Sequence, residues 1–268
     1  MRIAVTATPG CPPTAPFLLR GDIPGAFRTA AESGCDGVEL HLRRASDVEA
    51  GAVKRLMEEY GQEVPTLGTG MGAGLDGLTF TDPDPEIRAR AVARVCGHVD
   101  LASELGAAVI IGLIAGKLGA GEEGARRDRR GAALACLGQV CRAAEPRGVT
   151  VLLEPLNRYE SDYINTLADA ATVADEVAAG NLKILADTFH MNIEEPRMEA
   201  SLRAAGGRLG HVHLADTNRQ APGHGHLDVR CILGTLETLG YRGYLALEIL
   251  PLPDPMRALA DSLSAVRP

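Results

Sequence analysis

The sequence has no Cys-x-x-Cys pair, no uninterrupted block of lysine and arginine, and no apolar run long enough to cross a bilayer. Each absence removes a class of function. The cysteines at 11, 35, 96, 136, 141 and 231 are even in number, but in a 268-residue chain without close pairs they do not read as a disulfide framework. Reduced thiols in a cytoplasmic protein are expected. The net charge of −8, from 27 basic and 35 acidic residues, gives no general attraction to nucleic acid or to anionic membranes. Arg126, Arg127, Arg129 and Arg130 are interleaved with Asp128 and preceded by Glu122 and Glu123, so they read as the solvated face of a helix. The opening MRIAVTATPG is too short to be a signal peptide, and LGAAVIIGLIAG is too short to span a membrane. In the glycine-rich segment from Gly68 to Asp84, the run GTGMGAG (68–74) is not itself spaced as GxGxxG and no GK[ST] follows it. It is expected to be a flexible loop on the rim of the site.

What is present is a repeating unit. Apolar runs rich in Val, Ile and Leu occur at 2–7, 37–40, 64–68, 108–113, 150–154, 183–187, 210–215 and 244–250. Helical patterns follow them at 24–33, 47–60, 85–105, 123–146, 167–178, 197–205, 229–239 and 255–266, several opened by Asp-Pro or closed by glycine. Strict alternation calls for a parallel sheet, and eight units favour closure into a barrel. The expected architecture is α/β, a single (β/α)8 TIM barrel over residues 1–268, with 46% apolar residues to fill it.

Glu154, Asp187, His213 and Glu248 each stand at or near the end of one of these runs, about 26 to 35 residues apart, which is the length of a strand plus its crossover helix. Singly, each could cap a helix or pair with an arginine. Together they fall at consecutive strand ends of the face where barrel active sites lie. Three carboxylates and an imidazole buried together need a shared cation. Oxygen-rich ligation with one nitrogen suits Mn²⁺ foremost, or Mg²⁺ or Co²⁺, better than a structural zinc. His211 and His213 share one side of a strand, with His213 taken as the ligand and His211 as a group behind it or in the core. His190 adds an imidazole three residues after Asp187.

The segments LEPLNRYE (153–160), LADTFHMNIEE (185–195), HVHLADTNRQAPGHGHLD (211–228) and ALEIL (246–250) resemble the xylose-isomerase-like barrel superfamily, and within it the ketose 3-epimerases related to D-tagatose 3-epimerase. The similarity is strong over residues 150–250 and less distinctive over 1–120. The resemblance implies that Glu154, Asp187, His213 and Glu248 hold one divalent metal. It also implies that Glu160, His190 and Arg219 contact the substrate. Glu39, in VELHLR, falls at the end of the second strand, as in many members.

The chemistry implied is inversion at carbon three of a ketose. Removing a proton next to a ketone builds charge on the carbonyl oxygen, which a divalent ion stabilises as an enediolate. Inversion then needs an acid/base group on each face of the sugar, and Glu154 and Glu248 are suited to that pair. Arg219 and His190 would donate to the enediolate oxygen, and Glu160 would hold a hydroxyl. Asn157 and Arg158 are either further contacts or loop-ordering residues. His224 and His226 are read as loop hydrogen-bonding groups, with a second metal as the alternative; a three-zinc nuclease would need more ligands and a basic face. An aldose-ketose or hydroxypyruvate-type isomerase and an inosose dehydratase-like lyase share the ligands and remain alternatives. A non-catalytic sugar-binding barrel would be expected to have a broken ligand set. The expected partner is a small sugar, without nucleic acid or membrane. Tyr159, Tyr163 and Ile164 are candidates for a contact between copies in a homo-oligomer.

Overall fold

The computed structural model describes residues Met1 to Arg267. Its strands are β1 (Arg2–Thr8), β2 (Leu19–Arg20), β3 (Gly37–His41), β4 (Thr66–Gly68), β5 (Ala108–Ile111), β6 (Val151–Leu153), β7 (Leu182–Asp187), β8 (Leu209–His213) and β9 (Tyr244–Leu247). All pair in parallel, and β9 pairs with β1 to close an eight-stranded barrel; β2 is a two-residue addition on β1. The helices are α1 (Ile23–Glu32), α2 (Ala50–Tyr60), α3 (Gly70–Asp76), α4 (Pro85–Leu105), α5 (Glu123–Ala144), α6 (Leu167–Val177), α7 (Thr188–Glu194), α8 (Met198–Ala205), α9 (Val229–Thr238) and α10 (Pro255–Val266). No described helix is long and apolar enough to cross a membrane. The six cysteines are unpaired.

Alternation along each strand divides the molecule into two interiors. Val5, Leu40, Leu67, Ile111, Leu153, Ile184, Val212 and Leu247 pack outward with helix residues such as Phe27, Val95, Leu137 and Leu236 in one continuous core. Inside the barrel the apolar groups are few. Ala4, Tyr244 and Ala246 form one small cluster and Ile110, Leu152 and Leu185 another. The in-phase positions further along the strands are Thr6, Glu39, His41, Thr66, His211 and His213, all buried. Polar groups are thus gathered at the carboxyl end of the barrel, walled in by the main core.

Local chemistry sets the helix starts. Asp84 accepts from Glu86 N at 2.8 Å with Pro85 as the first helical residue of α4. Thr166 and Asp169 form a capping box on α6. Asp22, Asp228 and Asp254 cap α1, α9 and α10.

Several expectations are corrected. The run through Glu154 ends as a strand at Leu153, because Pro155 has no N–H to continue the ladder. The last run stops at Leu247, where Glu248 N turns to Ala246 O at 3.1 Å. The segment Gly68–Asp84 is not simply a loop. Gly70, Gly72 and Gly74 oppose a helix, yet α3 forms because Met71 and Gly72 are buried beside Ile114 and because Arg43 and Arg94 both bind Asp76. Helix α7 follows β7 directly and was not anticipated. The arginine cluster does more than face water: Arg126 reaches Asp162 at 2.8 Å, Arg129 donates to Leu118 O, and Arg130 binds Glu176 at 2.8 Å, while Arg127 is exposed. Ile164 is 4% exposed within the main core, which removes it from any contact between copies, whereas Tyr159 is 79% exposed.

Candidate active site

Glu154 follows β6, Asp187 and His213 end β7 and β8, and Glu248 follows β9. One ligand atom from each lies within 4.8 Å of the others, and all four residues are buried. His213 Nδ1 is 3.3 Å from Glu154 Oε1, 3.6 Å from Glu248 Oε2 and 3.8 Å from Asp187 Oδ2. That nitrogen is sealed from water and is aligned for a hydrogen bond with none of the three. Asp187 is divided by function: Oδ1 accepts from Phe189 N at 2.8 Å and caps α7, which leaves Oδ2 facing the cluster. Three carboxylate oxygens converging with one unpartnered imidazole nitrogen fit a hard divalent ion.

Electrostatics agree with that fit. Burial disfavours the His213 imidazolium, yet Glu39 and Glu248 pull its pKa well above the usual value. Burial would raise the Asp187 carboxyl, but His190 and Arg219 hold it well below the usual carboxylate range. Glu248 is pushed up by burial against the pull of Arg219 and His213. Negative charge is in surplus here, and a cation relieves it.

Behind the ligands lies Glu39, fully buried on β3. It accepts from His41 Nε2 at 2.7 Å, from His211 Nε2 at 2.8 Å and from Thr66 Oγ1. Its Oε1 is also 3.0 Å from His213 Nε2, at a poor angle for a hydrogen bond. Burial opposes its charge, but His213 and the imidazole bonds keep its pKa well below normal. A carboxylate behind a ligand histidine fixes which nitrogen faces the ion. The sequence showed Glu39 only as a strand-end residue; the available signal was Glu39-Leu40-His41, in phase with His211-Val212-His213.

Glu154 and Glu248 of the cluster line a cavity of about 570 Å³ walled also by Phe17, His41, Met71, Leu113, Phe189 and Arg219 among others. The residues expected to meet substrate all border it. Asn157 ties two of them together, donating to Glu160 Oε1 at 2.9 Å and to His190 Nδ1 from its amide group at 2.8 Å and its backbone N–H at 3.2 Å. A ring nitrogen that accepts from a backbone N–H leaves the proton on the other nitrogen. On the other side of the ring, His190 Nε2 lies 3.3 Å from Arg219 Nη1, which can only donate, and 3.6 Å from Asp187 Oδ2. Burial lowers the His190 pKa and favours the neutral form.

Arg219 is closer to the ligands than a purely substrate-facing residue would be. Its Nη2 donates to Glu248 Oε2 and lies 3.3 Å from Asp187 Oδ2, and its guanidinium stacks 4.6 Å above the Phe189 ring. Its buried Nε has no partner in the protein. The backbone at Arg219 is left-handed, with φ at 58°. Asp216 holds that loop, accepting from Thr217 N and Gly223 N at 2.7 Å and from Leu227 N at 3.1 Å. A Cβ at position 225 would fall 2.1 Å from Asp216 Oδ1, so only glycine permits this approach. Burial works against the Asp216 charge, but the backbone N–H groups outweigh it and lower its pKa.

A model of the xylose isomerase-like TIM barrel family matches residues 27–266. The chain belongs to this family. An L-ribulose 3-epimerase of Mesorhizobium japonicum is 31% identical over 218 residues, spanning 81% of this chain and 72% of that protein. A D-allulose 3-epimerase from Methylomonas sp. superposes with a TM-score of 0.82 at 26% identity, over 98% of this chain and 96% of that one. The 3-keto-D-glucoside 4-epimerase from E. coli gives 0.81 at 27% identity, over 100% and 99%. This xylose isomerase-like barrel thus resembles ketose 3-epimerases in sequence and in fold.

The remaining candidates of this family member take supporting places. Arg158 binds Glu194 at 2.9 Å, pinning the β6 loop to α7. His224 meets Asp261 at 3.0 Å, its carbonyl accepts from Asn218, and His226 N donates to Thr217 Oγ1 at 3.3 Å. Of the two roles expected for Asn157, the structure shows the ordering one, whereas Asp216 and Glu194 were not singled out by sequence pattern, since they act on a loop backbone and on Arg158 rather than on the cavity.

Proposed function

We propose that the protein is a metal-dependent epimerase that inverts carbon three of a ketose, with Glu154 and Glu248 as its acid/base pair. The observation that carries this reading is the placement of these two carboxylates. They arrive from β6 and β9, on either side of the strands that bring Asp187 and His213, and both face His213 Nδ1. A sugar lying over the cluster would present one face to each.

The ligand set Glu154, Asp187, His213 and Glu248 would hold the ion, Mn²⁺ foremost. When bound, a divalent ion there would polarise the ketone and offset the charge that develops on its oxygen. One glutamate removes the proton from carbon three, leaving an enediolate, and the other returns a proton to the opposite face. The base for one epimer is the acid for the other. Arg219 holds Glu248 in place and can donate to the enediolate oxygen through its unpartnered Nε, and His190, the second donor in this reading, borders the same cavity. Glu160, anchored by Asn157, is free to accept from a hydroxyl through its remaining oxygen. Arg219 is the one Lys or Arg among the residues bordering the cavity, and it is already engaged by carboxylates. A free ketose fits this wall better than a phosphorylated one.

Incubation with a panel of ketoses and ketose phosphates in deuterated water tests the reading. The expected product is the C3 epimer of a free ketose with deuterium at carbon three, seen by chromatography and proton NMR. An aldose product labelled at carbon one or two would make the protein an isomerase, and loss of water from the substrate would make it a lyase.

A further inference from the structure

Inside the first half of the barrel, His41 stands between the Glu39 network and the cavity, in neither the ligand set nor the expected substrate set. Its ring is 5% exposed and stacks on Phe17, with centroids 4.0 Å apart and planes inclined by 28°. Its Nε2 lies 2.7 Å from Glu39 Oε1. Glu39 also receives His211 and Thr66, so it acts as an acceptor throughout and His41 Nε2 must be the donor. The neutral ring then presents Nδ1 as an acceptor. No protein group among the described residues bonds to that nitrogen, and His41 borders the cavity.

The neighbouring strand is shaped around this ring. His41 and Gly68 are paired across β3 and β4, and a Cβ at position 68 would fall 2.2 Å from His41 Nδ1 and 2.6 Å from its Cε1. With Phe17 against one ring face, the imidazole cannot swing aside to admit even a methyl group. His41 Nε2 is 3.8 Å from Glu248 Oε1, which places the ring on the Glu248 side of the site.

We infer that His41 Nδ1 accepts a hydrogen bond from the substrate hydroxyl flanking the reacting carbon on the Glu248 side, and that Gly68 gives the ring its place. The inference rests on the ketose reading above. With reaction at carbon three and the ketone at carbon two, the flanking hydroxyl is the one on carbon four. His41 is thus a specificity-determining residue, selecting ketoses that carry this hydroxyl.

The test compares kcat/KM for an epimerised ketose and its 4-deoxy analogue in the metal-loaded protein. The wild type should prefer the parent sugar by about a hundredfold or more, because the analogue leaves a buried acceptor unpaired. His41→Gln retains a donor towards Glu39 but loses Nδ1. It should keep its metal content and fold, and the preference should shrink to roughly tenfold or less. Gly68→Ala, which leaves His41 present but displaces it, should weaken the preference in the same direction, largely through KM for the parent sugar. An unchanged preference in both variants overturns this inference alone. A wild type that epimerises no ketose overturns the ketose reading and this inference with it.

Discussion

Strands β6 to β9 deliver Glu154, Asp187, His213 and Glu248, whereas β1, β3, β4 and β5 end in Thr8, His41, Gly68 and Ile111. The later half of the barrel therefore concentrates charge, and the earlier half forms surface: Phe17, Met71, Leu75 and Leu113 border the cavity from loops and helices that follow its strands. The division is informative because the two jobs constrain sequence differently. Holding an ion and moving protons require fixed atoms at fixed distances; enclosing a sugar requires only volume and polarity of the right kind. Glu39 crosses the division, since it sits on β3 yet touches His211 and approaches His213.

The division can be broken most decisively at the metal. Chelation should abolish turnover, with recovery on adding Mn²⁺, Mg²⁺ or Co²⁺, and elemental analysis of untreated protein should give about one divalent ion per chain. Full activity in a stripped sample would remove the ion from the chemistry. Next in size, Glu154→Gln and Glu248→Gln should each lower turnover by about a thousandfold or more while the fold persists, since each loses an acid/base and weakens a ligand. Deuterium uptake at carbon three is the measurement. A near wild-type rate in either variant refutes the two-carboxylate mechanism.

Arg219→Ala should cost roughly a hundredfold in kcat with metal content retained. Because its guanidinium rests on Asp187 and Glu248, metal lost in step with activity would assign it to the ion site instead. Glu39→Gln probes the residue that crosses the division, and metal affinity should fall by about tenfold to a hundredfold, read by competition with a chromophoric chelator. Leu113→Ala lies wholly on the surface-forming side. It should alter KM by less than about tenfold and leave kcat unchanged; a larger effect on kcat would show that the earlier half takes part in the chemistry.

The same division explains what could be read from sequence. In a parallel barrel both faces of a strand are covered, so each strand is an apolar run, and an acidic or imidazole group at its end stands out. Glu154, Asp187, His213 and Glu248 were legible for that reason, as were the eight barrel strands. Helix α3 was hidden by its glycines, whose local preference is outweighed by the burial of Met71 and by the arginines on Asp76. Helix α7 was hidden because its cap, Asp187, is also a ligand candidate, leaving no separate turn to mark its start. The cavity walls come from positions such as Phe17 and Leu75 that follow no period, so spacing could not find them.

The Asp216 loop bears on where the ordering of this site takes place. Three backbone N–H groups converge on one buried carboxylate, and Arg219 is carried in a left-handed conformation between them. The guanidinium is therefore aimed when the chain folds rather than when sugar arrives. The entropy of ordering the loop is met by folding stability and is not deducted from substrate affinity at each turnover. A loop grafted here without Asp216 and Gly225 would have to be organised by the sugar itself, and its arginine would arrive late even if every cavity residue were kept.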